Sequence, residues 1–308
     1  MYNYAIKFGG KIIPSKKPSI KTLAGKKIDK FEDYALHSDV FRKLSEIIIN
    51  SAPYSHISKK FGEFRDYKLI EQIKQNKVPE HVAIIMDGNR RYAKEMGLPP
   101  DTGHIYGKEK LEEVLEWCFD LGIKNLTVYA FSTENFERDS TEIRTLMNLC
   151  KEELQRASKD SRIHKNKVKI RIIGRLDALP EDIAQSAHYI MGETKDYNEY
   201  SFNIALAYGG REEIINAIQN IALDVKDKKL KIEDINEPIV SKYLYTNGIP
   251  DPDLILRTSG EERISNFLLW QLAYSELYFS DVFWPAFQKR DFLKAIITCQ
   301  LRNRRFGK

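Results

Sequence analysis

Residues 81–97 read HVAIIMDGNRRYAKEMG. The unbroken apolar run from Val82 to Met86 lacks the polar alternation of a half-solvated strand, so it reads as a strand buried on both faces, as in a parallel sheet. The run ends at Met86, and Asp87, Gly88, Asn89, Arg90 and Arg91 read as the opening of a helix. In open α/β sheets ligands bind at the carboxyl edge of the strands, where this turn lies. The free N–H groups of a helix start, the permissive Gly88, Asn89 and the two arginines Arg90 and Arg91 form a cradle for an anion, with diphosphate the natural candidate. A carboxylate at Asp87 would repel that anion unless a hard cation lay between them. Two roles for Asp87 therefore stand level: a Mg²⁺ ligand, or a cap of the helix.

Outward from this unit, short apolar runs alternate with helix-length amphipathic stretches. The pattern predicts strands at 81–86, 126–131, 168–174, 201–207, 252–257 and 276–280. Helices are expected near 104–121, 140–160, 180–195, 210–225, 236–246 and 289–304. Together these make one doubly wound α/β domain over 81–308, a central and mostly parallel sheet of about six strands covered by helices. Residues 1–80 break the rhythm and read as a basic, partly helical extension, with helices at about 31–50 and 62–76.

The chain has 308 residues and a net charge of +5. Residues 1–77 hold 16 Lys/Arg against 8 Asp/Glu, a charge of +8, which leaves −3 for the remainder. A basic arm of this kind is either a solvated face or a weak, salt-sensitive attachment to an anionic membrane surface. Aromatic residues are not interleaved with arginine as a nucleic-acid platform would need, so nucleic acid is not expected. No run approaches the roughly 20 apolar residues of a membrane span, and the opening MYNYAIKFGG lacks an apolar signal core, so a cytoplasmic place is expected. Cys118, Cys150 and Cys299 lack CxxC spacing and read as small apolar residues. Neither GxxxxGK[ST] nor GxGxxG occurs, which points away from a nucleotide.

Two further groups fall at strand ends. LILRTSGEERISNF carries Arg257, Arg263 and Ser265, which together would make a second diphosphate site. Taken singly, Arg263 could be a surface arginine paired with Glu261 or Glu262, and Ser265 with Asn266 a helix cap. YAFSTENFER carries Phe131, Ser132, Glu134, Asn135 and Arg138 to the same edge as Asp87, although Glu134 and Arg138 are also spaced for a helical ion pair. His104, in GHIYGKEK, suits phosphate contact or proton transfer, or is a partly exposed polar residue at a helix start.

HVAIIMDGNRRYAK, YAFSTENF, NIALAYGGR, LILRTSGEERISNFLLWQLAYSELYF and the closing RNRRFG together resemble the cis-prenyltransferases of the undecaprenyl and dehydrodolichyl diphosphate synthase type, over about residues 80–308. The resemblance implies a homodimeric α/β enzyme that uses Mg²⁺ to condense isopentenyl diphosphate with an allylic diphosphate such as farnesyl or geranylgeranyl diphosphate. Its product would be a cis-polyprenyl diphosphate, the precursor of a glycosyl carrier lipid. It further implies Asp87 as the metal-binding catalytic aspartate and Glu276 as a second acid near Mg²⁺. Asn135 and His104 would assist ionisation or proton handling. Gly88, Asn89, Arg90, Arg91, Tyr92, Phe131, Ser132 and Arg138 would line the allylic diphosphate site, and Arg257, Arg263 and Ser265 the isopentenyl diphosphate site. A growing chain needs an apolar tunnel, for which Leu111, Val114, Leu115, Ile143, Leu146, Met147 and Leu149 are candidate walls, though their spacing equally suits core packing.

NRRY is similar to the eukaryotic and archaeal branch. Pro100 stands four residues before His104, where the family commonly has an arginine, and Arg90 is the nearest substitute. Two other readings remain beside chain elongation: a same-fold enzyme with a different or differently oriented acceptor, and a non-catalytic subunit, which would be expected to have lost Asp87.

Overall fold

The computed structural model describes residues 7–8, 11–12, 65–137 and 139–302. The helix expected at 31–50, most of the basic arm, Arg138 and all but the first residue of RNRRFG lie outside the described residues. The chain divides into two compact units, Met1–Phe64 and Arg65–Lys308. In the first, β1 (Lys7–Phe8) pairs antiparallel with β2 (Lys11–Ile12).

The second unit is built on six parallel strands: β3 (His81–Ile85), β4 (Asn125–Ser132), β5 (Val168–Ile173), β6 (Tyr200–Tyr208), β7 (Leu254–Arg257) and β8 (Glu276–Phe279). All six are expected strands, with ends shifted by at most two residues. They lie in the order β5-β6-β4-β3-β7-β8. The strand after β3 in sequence packs on one side of it and β7 on the other, so the order reverses beside β3 and leaves a crevice beyond its carboxyl end.

Eight helices are numbered in chain order: α1 (Asn89–Glu95), α2 (Pro100–Leu121), α3 (Ser140–Ala157), α4 (Ser161–Lys165), α5 (Glu181–Glu193), α6 (Gly210–Lys226), α7 (Glu237–Tyr243) and α8 (Lys289–Arg302). A further helical stretch covers residues 65–74. Two helices depart from expectation. α2 starts at Pro100 and not at 104, because proline is pre-set for the first helical position. The helix expected over 140–160 breaks after Ala157, and Asp160 caps a new one by accepting a hydrogen bond from the Arg162 amide at 2.9 Å.

Alternate residues of β3 face two cores. Val82 and Ile84 join the larger, with Val114 and Trp117 of α2, Leu154 of α3, Ile190 of α5 and Phe292 of α8, whereas Ala83 and Ile85 join Tyr208, Phe267 and Leu268 on the other face.

At the amino edge a buried polar line ties three strands. His81 Nδ1 donates to the Pro250 carbonyl at 2.6 Å, so its Nε2 accepts from Thr127 Oγ1 at 2.7 Å. Thr127 Oγ1 in turn accepts from Asn203 Nδ2 at 3.1 Å. Burial pushes the His81 imidazole down to about 4, outweighing the opposite pull of the Pro250 carbonyl and of Asp253. The unfolded imidazole titrates near 6.5. Between these two values the unfolded chain binds the extra proton, so stability is expected to fall as pH drops from about 6.5 to about 4, by on the order of 3 kcal/mol. Denaturant unfolding against pH checks this: His81→Gln should flatten that limb, and an unchanged slope in the variant would place the acid sensitivity elsewhere.

Candidate active site

Asp87 follows β3 by two residues, and Arg257 ends β7 directly opposite Ile85 in the ladder. Their side chains meet: Arg257 Nη2 donates to Asp87 Oδ2 at 2.7 Å. Arg91, one turn along α1, donates from Nη2 to Asp87 Oδ1 at 3.1 Å and to Ser259 Oγ at 2.7 Å. The amino-terminal cap of α1 is Gly88 and no side chain caps it, so of the two roles open for Asp87 the capping one is not adopted. Burial raises the Asp87 pKa, but the bonds and charges of Arg257 and Arg91 outweigh it and hold the carboxyl below the ordinary aspartate value. Gly88 has φ 102°, and a Cβ there would stand 2.7 Å from the Phe283 ring and 2.9 Å from Ser259 Cβ, so only glycine fits.

Arg257 is 4% exposed. Its Nη1 donates to Ser265 Oγ at 2.7 Å and to the Arg263 carbonyl, while Nε is buried with no partner among the described residues. The loop that receives it holds Ser259, Ser265, Asn266 and Leu268 at positive φ, a concentration of strained backbone that marks functional loops. Asn266 anchors the loop, donating to Glu134 Oε1 at 2.8 Å and accepting from the Arg211 amide at 2.9 Å. Arg263 is exposed and pairs with Glu261, which also pairs with Arg91 at 2.9 Å.

These groups line a polar cavity of about 830 Å³, which holds Arg90, Arg91, Arg257 and Arg263 against Asp87, Glu134 and Glu261, with Ser132 and Asn135 on its wall. A second, mainly apolar cavity of about 210 Å³ runs between α2 and α3 over the sheet. The two share Met86, Asn89, His104, Ala130 and Leu146. The site is thus a charged bowl opening into an apolar tunnel, shaped for a ligand with an anionic head and a hydrocarbon tail.

Residues 85–307 match the prenyltransferase family model of undecaprenyl diphosphate synthase. The chain belongs to the cis-prenyltransferase family. A tritrans,polycis-undecaprenyl-diphosphate synthase (geranylgeranyl-diphosphate specific) from Thermoplasma acidophilum is 50% identical over 256 residues, 82% of this chain and 99% of that protein. The protein of the same name from Thermococcus kodakarensis is 48% identical over 261 residues, 85% of this chain and 98% of that one. Among solved structures, lavandulyl diphosphate synthase from Lavandula x intermedia in complex with dimethylallyl diphosphate superposes with a TM-score of 0.72 at 36% identity, covering 75% of this chain and 99% of that one.

Within this cis-prenyltransferase most of the expected site residues converge, but not all. Tyr92 packs edge-on against Tyr106, away from the polar cavity. Phe131 borders that cavity but is 1% exposed and belongs to the larger core, with its ring against Phe136. Arg90 pairs with Glu142 of α3 at 3.1 Å, and His104 Nε2 lies 3.8 Å from the same carboxylate. Arg90 therefore spans from α1 to α3 while still lining the polar cavity. Within this subunit Glu276, expected as a second acid near Mg²⁺, lies away from Asp87. It starts β8, in line with Leu254 and Val82, so parallel geometry puts it about five residues, or roughly 16 Å, back from Asp87 along the strands. It pairs there with Arg302 at 3.5 Å.

Of the expected tunnel walls, Leu111, Leu115, Leu146 and Leu149 line the apolar cavity. Val114 and Met147 are buried in the core and Ile143 packs against it. Reading the sequence missed Glu142, Thr258 and Ser259 as parts of the site. Thr258 Oγ1 donates to the Asp87 carbonyl at 2.7 Å and accepts from the Asp87 amide at 3.0 Å, fixing the turn. The only signal for it was its place directly after Arg257.

Removing the Asp87 charge strands a buried guanidinium, so Asp87→Asn should lower unfolding stability at pH 7 by about 1–3 kcal/mol. The pair's contribution is present above the unfolded carboxyl pKa of roughly 3.9 and is lost as pH falls through the lowered folded value, so the two proteins should converge in acid. A variant as stable as the parent at pH 7 would show that the pair holds nothing together.

Proposed function

We propose that this enzyme elongates an allylic prenyl diphosphate, of geranylgeranyl type, by cis condensation with isopentenyl diphosphate to give a polyprenyl diphosphate that serves as a glycosyl carrier lipid precursor. The observation that carries this reading is the continuity of the arginine-lined bowl with the apolar tunnel at Asn89 and His104. Asn89 Oδ1 is buried at that junction with no hydrogen-bond partner among the described residues, as a group awaiting a ligand would be. The names of the archaeal relatives support the choice of primer.

In this reading Arg91 and Asn89 hold the allylic diphosphate, and Arg257, Arg263 and Ser265 the isopentenyl diphosphate. The allylic C–O bond breaks with its electron pair leaving on the diphosphate, where fixed guanidinium groups stabilise the developing charge. The isopentenyl double bond then attacks the allylic carbon. Loss of a proton from the resulting cation leaves a new cis double bond, and His104 and Asn135, both on the cavity wall, would assist ionisation or the handling of that proton. Mg²⁺ fits the residues present. Asp87 offers two carboxylate oxygens with about four lone-pair sites, of which the guanidinium groups use two, and Mg²⁺ is commonly held by one or two carboxylates completed by substrate phosphate and water. Bound there, it would neutralise charge on the leaving diphosphate.

The reading includes a homodimer, supported by the exposed Ile215 and Ile218 on α6, and a cytoplasmic enzyme with peripheral membrane contact, supported by the lipid nature of the product. A second reading, transfer to a different acceptor, is favoured by the likeness to lavandulyl diphosphate synthase. One experiment separates them: the protein with Mg²⁺, labelled isopentenyl diphosphate and farnesyl or geranylgeranyl diphosphate, beside Asp87→Ala, with chromatography of the dephosphorylated products. Long cis-polyprenols are expected, reduced on the order of a hundredfold or more in the variant. Branched or single-addition products would favour the second reading, and no product from either primer would overturn elongation and point to an altered acceptor or a partner-dependent subunit.

A further inference from the structure

One contact of the cationic bowl is made from strained backbone. Ser259 has φ 77°, in the left-handed region that glycine adopts freely and a residue with a side chain does not. The segment is pinned there. The Ser259 amide donates to the Val282 carbonyl and the Gly260 amide to the Ser280 carbonyl, each at 2.8 Å. Strain of this kind persists where the surroundings over-determine it, and glycine at position 259 would relieve it. Ser259 is 7% exposed and is not among the residues that line the polar cavity. Its hydroxyl therefore acts through a neighbour, and that neighbour is Arg91.

Four side chains hold the Arg91 guanidinium. Nη2 donates to Ser259 Oγ at 2.7 Å and to Asp87 Oδ1 at 3.1 Å, and Nη1 donates to Glu261 Oε1 at 2.9 Å. The Phe283 ring lies 5.7 Å from Cζ. Two of the four are carboxylates. An arriving diphosphate competes with both for the same N–H groups and repels them as like charges, so their grip on Arg91 weakens as the ligand binds. The Ser259 hydroxyl is neutral and carries no such repulsion. Its bond is also the shortest that Arg91 donates among the described residues. The Ser259 Cβ has a second contact, since a Cβ on Gly88 would stand 2.9 Å from it.

We propose that Ser259 is a positioning residue for the allylic diphosphate: its hydroxyl is the neutral anchor that keeps Arg91 aimed at the ligand while Asp87 and Glu261 let go, and the strained φ is retained for that contact. The proposal rests on the reading that Arg91 holds the allylic diphosphate. Serine is the smallest residue that brings an oxygen to this position, whereas glycine brings relaxed backbone and no oxygen. Two substitutions separate the hydroxyl from the strain. Ser259→Ala removes the oxygen but keeps the strained φ and the Cβ beside Gly88, and Ser259→Gly removes oxygen and strain together.

Both variants are compared with the parent as full chains with Mg²⁺. Three properties are measured: denaturant unfolding, binding of geranylgeranyl thiolodiphosphate, which needs no turnover, and steady-state condensation. Ser259→Gly should unfold at a higher denaturant concentration than Ser259→Ala, because alanine at positive φ is strained and glycine is not. Both variants should nevertheless bind the probe about tenfold more weakly than the parent, as expected for one lost hydrogen bond to a charged group. The KM for the allylic diphosphate should rise by a similar factor and that for isopentenyl diphosphate stay unchanged, because Arg257 and Arg263 have other anchors. A glycine variant that binds the probe as the parent does would overturn the proposal, since position 259 would then contribute nothing through its oxygen. Equal rises in both KM values would overturn it too, as the mark of a merely structural residue. Weaker probe binding by both variants, with no condensation by any of the three proteins, would support the anchor and strike the condensation reading alone.

Discussion

The ion pair between Asp87 and Arg257 closes the site. Each residue stands at the carboxyl end of a strand, and the 2.7 Å contact joins two positions 170 residues apart in sequence. A guanidinium 4% exposed would be costly without a fixed anion beside it, and Asp87 supplies that anion from the turn that Gly88 permits. With Arg257 held, its remaining donors fix Ser265 and the Arg263 carbonyl, and through them the strained loop that carries the second cationic group. With Asp87 held, Arg91 is held, and Glu261 ties Arg91 to Arg263. Both halves of the cationic bowl thus hang on one carboxylate.

The sheet turns that electrostatic centre into a site for an amphipathic ligand. Beside β3 the strand order reverses, so the carboxyl edge opens a crevice there. The face that packs against α2 and α3 is apolar, but the helices diverge and leave space over Val128, Ile170 and Ile204 of the sheet. Gly107 lets α1 and α2 come close enough to place Asn89 at the junction, since a Cβ there would stand 2.5 Å from Asn89 Oδ1. Trp284 closes the same corner, donating to the Gly107 carbonyl at 2.7 Å. Head and tail of a ligand are therefore positioned by one helix pair, with the charge where leaving-group stabilisation is required and the apolar space where a chain would grow.

Much of this was legible in the residues. Unbroken apolar runs marked the six strands, and amphipathic stretches marked the helices, apart from the Pro100 start of α2 and the Asp160 cap that begins α4. Asp87, Arg91, Arg257, Ser265 and Asn135 were placed at strand ends by that pattern alone, and the structure brings them to one cavity. Where the reading departed from the structure, the cause was orientation. Tyr92 sits beside site residues in sequence but packs against Tyr106, while Phe131 and Arg90 border the polar cavity and also reach the core and Glu142.

The sequence by itself determined the strand and helix set, the charged turns at strand ends and the family, because periods of 2.0 and 3.6 residues and local motifs are properties of neighbours along the chain. Only the tertiary structure decided that β3 and β7 lie side by side, that Glu276 starts its strand at the far edge from Asp87, and that Ser259 meets Arg91 across 168 residues of chain. Those facts depend on strand order, which arises from the packing of distant segments and leaves no local period to read.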